Sequence, residues 1–190
     1  MNEAAEIDGR SIRLRRLRTP DLTADEVDVI RALVWAAFPE GEEGFTEDDW
    51  DHALGGMHFV LDVDGSIVAH GSVVERELHV GQVPLRTGYV EAMATAVGWQ
   101  GRGLGTRVLE EINAHIRDGF ELGALGTGVH PFYERLGWRT WGGHAFVRTA
   151  AGLERTPDDE GYLLVLATPS TPELDFTAPI SCEWRPGDVW

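Results

Sequence analysis

The sequence predicts an α+β chain: antiparallel strands, then strand-helix-strand-helix, in one mixed sheet with helices on its faces. Three observations carry this. Short apolar segments with strand character recur between Ser11 and Tyr89, separated by turn residues. Asp64-Gly65 sits between two of them, the dipeptide of a tight hairpin turn. Finally, a small-residue apolar stretch from Tyr89 runs into a glycine-rich turn, after which Leu104, Val108, Leu109, Ile112 and Ile116 repeat at helical spacing.

In chain order, Ser11–Arg18 alternates loosely and reads as the first strand. Between Asp21 and Phe38, Val27, Ile30, Leu33, Val34 and Phe38 mark an amphipathic helix. Pro39–Gly44 is an acidic, turn-rich loop; Thr46 then caps a short helix with Asp49 three residues on, and Gly55-Gly56 ends it. Strands follow at 57–63, 67–74, 75–80 and 83–89, with Gly81-Gln82 as a further turn. After the helix ending near Arg117 come a buried strand at Gly123–Leu125 and a short helix, Pro131–Trp138, stopping on glycine. Trp141–Val147 and Tyr162–Ala167 read as strands separated by a loop, Ala150–Gly161. The tail from Cys182 to Trp190 is unusually aromatic for a terminus and reads as docked. Residues 1–190 show no internal repeat and no domain-splitting linker, so a single domain is expected.

Composition excludes several functions. The formal charge is −16, from 16 Arg and no Lys against 32 acids, which disfavours nucleic acid as a partner. No uncharged apolar run is long enough for a membrane span, and the first eight residues lack the basic start and apolar stretch of a signal peptide. The lone Cys182 cannot form an internal disulfide, so a reducing cytoplasm is the expected location and a small buried thiol the expected role. His52, His58, His70, His79, His115, His130 and His144 show no metal-like pairing, and no metal is expected. The acids cluster, at Glu40–Asp51 and at Asp158–Glu160. That clustering fits a solvated surface or a field that draws in a cationic substrate.

The glycine turn narrows the chemistry. A glycine-rich turn opening a helix presents unpaired N–H groups and the positive end of the helix dipole, an anion site usually filled by phosphate. The dinucleotide spacing fails, since Thr106 and Val108 stand where the third glycine belongs; a nucleoside-triphosphate loop fails for want of a lysine. What remains is Gln100-x-x-Gly103-x-Gly105, with a ligand-free β-to-α connection as the plainer alternative.

That pattern resembles the coenzyme A pyrophosphate loop of the GNAT superfamily of N-acetyltransferases, and Phe132-Tyr133-x-x-x-Gly137-Trp138 is similar to the signature that ends the family's core. The resemblance implies the GNAT acyl-CoA N-acyltransferase fold, a central mostly antiparallel sheet with splayed central strands and helices on both faces. A narrower likeness, carried by Thr46–His58, Gly88–Ala92, Arg155–Asp159 and Gly187–Trp190, is to the aminoglycoside 2'-N-acetyltransferases. It implies acetyl-CoA as cofactor, an aminoglycoside-like cation as partner, and resistance or detoxification as the role. A homodimer is compatible with it, and the residues leave assembly open.

By the same resemblance Met93, Ala94 and Thr95 pair with the pantetheine arm, while Gln100, Gly101, Arg102, Gly103, Leu104 and Gly105 hold the pyrophosphate. A backbone N–H, that of Met93, would polarise the thioester carbonyl. Glu91, two residues before Met93 and so on the same strand face, is the candidate base, with pure substrate binding as its alternative. Tyr133 is the candidate acid for the leaving thiolate, or a hydrogen-bond donor that transfers no proton. Substrate contacts are expected from Asp49, Glu91, Ala92, Gly126, Asp158, Asp159, Asp188 and Trp190, the last through its α-carboxylate. Departures from the pattern fall in the loop at Pro39–Gly44, where Glu42 or Glu43 would replace an aspartate, at Gly126 in place of a serine, and in a short connection from Thr127 to His130. They leave the preferred aminoglycoside open. The alternatives are another amine acceptor, such as kasugamycin, a polyamine or an amino sugar, and a non-catalytic acyl-CoA-binding regulatory domain.

Overall fold

A computed structural model of the chain describes residues 3–7, 9–38 and 45–190; the acidic loop Pro39–Gly44, with Glu40, Glu42 and Glu43, lies outside the described residues. The described chain forms two compact units, residues 1–74 with 90–112 and residues 75–89 with 113–190. Three elements run from one into the other: β4 (Ser66–Val80), β5 (Val83–Thr95) and α3 (Leu104–Gly119).

In the first unit an antiparallel series runs β1 (Glu3–Ile7), β2 (Arg10–Arg18), β3 (Met57–Val63) and the first part of β4. Ser11–Arg18 is therefore the second strand, not the first, because Gly9, at φ 73°, turns a short N-terminal strand back onto it. Asp64 and Gly65 carry φ of 50° and 82° and make the expected two-residue turn between β3 and β4. The segments read separately at 67–74 and 75–80 are one continuous strand, as are 83–89 and 90–95.

Helix α1 (Ala24–Ala37) starts where Thr23 and Glu26 form a reciprocal capping box, three residues later than the apolar spacing suggested. Helix α2 (Glu47–Ala53) is capped the same way by Thr46 and Asp49. Ile30, Leu33 and Val34 of α1 and Trp50 and Ala53 of α2 bury one sheet face with Val60, Ala92 and Ala94. On the other face Gly71 allows close packing: a Cβ there would meet Ile112 of α3 and the Met93 sulfur, each at 2.8 Å. Helices thus cover both faces of this part of the sheet. Phe38, expected on the apolar stripe, is 40% exposed and stacks on Phe45 instead.

In the second unit β6 (Leu122–Gly126) pairs parallel with β5 over Thr87–Tyr89 and antiparallel with β10 (Leu163–Ala167), which holds the two-residue β7 (Arg139–Thr140). Helix α4 (His130–Glu134) is shorter than expected; the following turn reaches Gly137, at φ 97°. Residues 141–144 are not strand, because Gly143 is pressed onto the Ala178 carbonyl, where a Cβ would sit 1.9 Å from its oxygen. The strand starts later, as β8 (Ala145–Thr149), and pairs with β9 (Gly152–Arg155) inside the segment read as loop. A last strand, β11 (Ile180–Glu183), lies parallel to β8 and antiparallel to the end of β4. No helix among the described residues is long and apolar enough to cross a membrane.

Candidate active site

The residues singled out from sequence divide between the units. Glu91 to Thr95, the glycine turn and Asp49 belong to the first; Gly126, Tyr133, Asp158, Asp159, Asp188 and Trp190 belong to the second.

In the first unit the decisive feature is Ala92, which holds a left-handed φ of 49° in the middle of β5. For an alanine that conformation costs roughly 1–2 kcal/mol, so surrounding contacts must enforce it. Its side chain is buried against α1 and α2, and its carbonyl oxygen lies 2.9 Å from Nδ1 of His70. Ser72 Oγ donates to the Glu91 carbonyl at 3.3 Å. Placing Glu91 and Met93 on one face assumed an unbroken pleat; Ala92 interrupts that pleat between them.

Beyond Thr95 the chain makes a 3-10 turn at Val97–Trp99, and Gln100 Nε2 donates back to the Thr95 carbonyl at 3.1 Å, closing the loop. Gly101 and Gly103 take φ of 74° and 77°, and nothing lies within 4 Å of where their Cβ atoms would be. Only these two of the three turn glycines need a special conformation; Gly105 lies within the first turn of α3. The Arg107 N–H bonds the Gly103 carbonyl at 3.1 Å, the first bond of α3, so the N–H groups before it remain directed out of the helix end. Arg102 and Arg10 both lie over the Trp99 ring, at 5.1 and 5.4 Å, which keeps cationic charge beside the turn. An open main-chain turn at a helix start, with arginine beside it, fits a diphosphate. Asp49 spends Oδ2 on its cap, accepting from the Thr46 N–H at 2.8 Å and hydroxyl at 2.7 Å.

In the second unit Tyr133 is buried, its ring edge-on to Phe132 and Trp138. Burial pushes its hydroxyl up to about 12, so it stays protonated at neutral pH. The surrounding motif is pinned to α3: the Trp138 indole donates to Asn113 Oδ1 at 2.9 Å, and Asn113 Nδ2 donates to the Leu136 carbonyl at 3.2 Å.

The carboxylates gather here. Burial raises the pKa of Asp159, a hydrogen bond from Thr156 opposes this, and Asp188 and Asp158 raise it further by repulsion. The chain end is docked beside them. Trp190 is 6% exposed, its indole donates to Thr156 Oγ1 at 3.0 Å, and its N–H bonds Asp188 Oδ1 at 3.2 Å. Its carbonyl carbon and oxygen lie 3.7 and 3.8 Å from where a Gly126 Cβ would stand. Arg76 anchors the tail: it is buried, lies 4.6 Å over the Tyr89 ring, and donates to Glu183 Oε1 at 2.8 Å and the Val189 carbonyl at 2.9 Å. Cys182 is buried with its thiol raised to about 11 by desolvation, as expected of an inert thiol.

Sequence reasoning missed Arg76 and Thr156, and passed over His58 and His70. A signal existed for the histidines, since the Asp64-Gly65 hairpin brings their strands together with Val60 opposite His70 and His58 opposite Ser72. Among the described residues no group of acids, histidines and cysteine is arranged to hold a metal.

A mixed sheet whose strand breaks pleat and feeds a glycine turn at a helix start is the architecture of an acyltransferase. The acetyltransferase (GNAT) domain family matches residues 55–140. The chain is 42% identical, over 180 residues, to an aminoglycoside 2'-N-acetyltransferase of Mycolicibacterium fortuitum, spanning 93% of this chain and 91% of that protein. The chain belongs to the GNAT acetyltransferases. Solved structures agree on the fold. A GNAT family acetyltransferase from Brucella melitensis, in complex with acetyl-CoA, aligns with a TM-score of 0.58 and 18% identity over 86% of this chain and 93% of that one. A GCN5-related N-acetyltransferase from Kribbella flavida aligns with a TM-score of 0.54 and 20% identity over 69% of this chain, which spans 34% of that longer protein.

Proposed function

We propose that this enzyme transfers an acetyl group from acetyl-CoA to the 2'-amine of an aminoglycoside, as the name of its M. fortuitum relative describes for that protein. The observation that carries the substrate class is the acid group of the second unit, where Asp188 and Asp158 act on the half-buried Asp159 as like charges. Such a group is stabilised by a polycation, which relieves the repulsion on binding.

Acetyl-CoA, when bound, supplies the thioester carbonyl that is attacked and the thiolate that leaves. In this reading the main-chain N–H groups of the Gly101–Gly105 turn bind the diphosphate, with Arg102 as counter-charge and Gln100 keeping the loop closed on Thr95. Met93, Ala94 and Thr95 offer main-chain groups to the pantetheine arm, and the Met93 N–H stabilises the oxyanion. Glu91 takes a proton from the substrate ammonium, directly or through water, and the neutral amine so formed attacks the thioester carbonyl. Tyr133 meets the thiolate. Burial keeps its hydroxyl protonated, so it can hydrogen-bond the leaving thiolate or give it the proton. In the second unit Asp158, Asp159, Asp188 and Trp190 bind ammonium groups, with Gly126 as a small wall; in the first, Asp49 and the main chain at Ala92 are the substrate contacts. In this proposal residues 1–190 act as a single acetyltransferase domain. The enzyme works in the cytoplasm and confers resistance or detoxification; a homodimer is compatible, and light scattering decides it.

The test is a panel of 2'-amino and 2'-hydroxy aminoglycosides, polyamines and simple amino sugars, with free coenzyme A followed by a thiol reagent. Turnover confined to 2'-amino compounds supports the proposal. Turnover with another amine class alone overturns the substrate and leaves the acetyl transfer.

A further inference from the structure

A continuous line of hydrogen bonds crosses the buried interior of the first unit and ends at the strained residue of β5. The Gly55 N–H donates to Thr19 Oγ1 at 2.8 Å; Thr19 Oγ1 lies 2.9 Å from His58 Nε2; His58 Nδ1 lies 2.9 Å from His70 Nε2; and His70 Nδ1 lies 2.9 Å from the Ala92 carbonyl. Both histidines are fully buried. The end of the line fixes every proton in it. A carbonyl can only accept, so His70 carries its proton on Nδ1 and offers a lone pair at Nε2. His58 must then donate from Nδ1, which leaves its Nε2 to accept the Thr19 hydroxyl, and Thr19 in turn accepts from Gly55. One arrangement satisfies all four links with both rings neutral. Burial favours the same state, lowering His58 to about 4 and His70 to about 3.

The Ala92 carbonyl shares its peptide with the Met93 N–H. No cis peptide occurs among the described residues, so the two point in opposite directions across one rigid plane. A donor on the carbonyl therefore sets where the N–H points, away from His70, and by polarising the amide makes that N–H a stronger donor. We infer that His70, backed by His58 and Thr19, is a positioning residue that holds the left-handed Ala92 and aims the Met93 N–H at the oxyanion of acetyl transfer. This rests on the acetyl-transfer reading and on Met93 as the donor. A simple core contact would not need a hydrogen-bonded imidazole on this carbonyl. An apolar side chain would pack as well and avoid burying two polar rings.

The test compares His70→Asn with His70→Leu, since the asparagine amide reaches the place of Nδ1 and can still donate to Ala92, whereas leucine cannot. His70→Leu is expected to lower kcat by 10- to 100-fold while the Kd for coenzyme A, measured by calorimetry, changes less than twofold. His70→Asn is expected to recover most of that loss. Thr19→Val, which leaves both rings in place and cuts the far end, should lower kcat about threefold and serves if the His70 variants fail to fold. Equal kcat in the asparagine and leucine variants overturns the inference, as does an unchanged kcat accompanied only by a lower Tm. Failure of the acetyl-transfer reading is a different result: wild-type protein that turns over no amine. Even then the amide proton of Met93 decides the positioning role, since its NMR shift should move upfield in His70→Leu and hold in His70→Asn.

Discussion

Replacing Arg76 by methionine isolates what the docked tail does. The side chain is buried and methionine is of similar bulk, so little packing is lost. Its partner Glu183 is 44% exposed at the side chain and recovers water once released, so that ion pair contributes little to the change. What remains, besides the contact over the Tyr89 ring and a longer bond to the Glu183 carbonyl at 3.3 Å, is the charged donor on the Val189 carbonyl, at 2.9 Å, one residue before Trp190. A hydrogen bond of that kind contributes about 1.5–3 kcal/mol, or roughly 10- to 150-fold in the equilibrium between docked and released tail. Removing a positive charge would by itself favour a polycation, so weaker binding cannot come from the long-range field. The expected outcome in the thiol-release assay is a KM for aminoglycoside raised tenfold or more, with the KM for acetyl-CoA within twofold. Tm should fall by about 3–10 °C. An unchanged aminoglycoside KM, or an equal rise in both constants, would refute the idea that the tail is part of the substrate site.

Four further outcomes are expected. Gly103→Ala places a Cβ at φ 77°, costs about 1–2 kcal/mol and raises the KM for acetyl-CoA about tenfold, whereas Gly98→Ala, in open space with ordinary backbone, leaves it unchanged. Glu91→Gln depresses kcat/KM most at low pH, where the substrate amine arrives protonated; an unshifted rate-pH profile removes Glu91 as base. The raised pKa of Asp159 means its ionisation opposes folding: that stability is present below about pH 4 and lost as pH rises through the folded value. Asp159→Asn should therefore raise Tm at pH 7 but not at pH 3, while weakening aminoglycoside binding about tenfold by calorimetry. The depressed pKa values of His58 and His70 work the other way. Their contribution is present above about pH 6.5 and lost as pH falls toward 4 and 3, so urea midpoints should show a loss on the order of 3 kcal/mol for His58 that His58→Gln abolishes.

Local signals carried much of the fold. The hairpin at Asp64-Gly65, the Thr46/Asp49 cap and the period of Leu104, Val108, Leu109, Ile112 and Ile116 each have a mechanism that operates over a few residues, and all reappear in the structure. What was illegible depends on distant partners. Glu3–Ile7 carries no strand signature of its own and becomes one by pairing with Arg10–Leu14; Ile180–Glu183 does so by pairing with β8 and β4. Ala92 is the sharpest case, since alanine announces neither a bulge nor a positive φ, and only His70 across the sheet shows why the turn is there. Asp158–Glu160 was legible as a cluster, but the effect of Asp188 on Asp159 and the Thr156 and Arg76 contacts that dock the tail were not.

Several ion pairs among the described residues share one further property. Arg15 with Asp62 and Glu26, Arg16 with Glu111, Arg76 with Glu183 and Arg155 with Glu160 all rely on guanidinium, in a chain without a single lysine. Guanidinium stays protonated and is a poor nucleophile. Its own side chains therefore offer no primary amine to the thioester that this enzyme activates, and self-modification at lysine, a common side reaction of acetyl donors, has no target here.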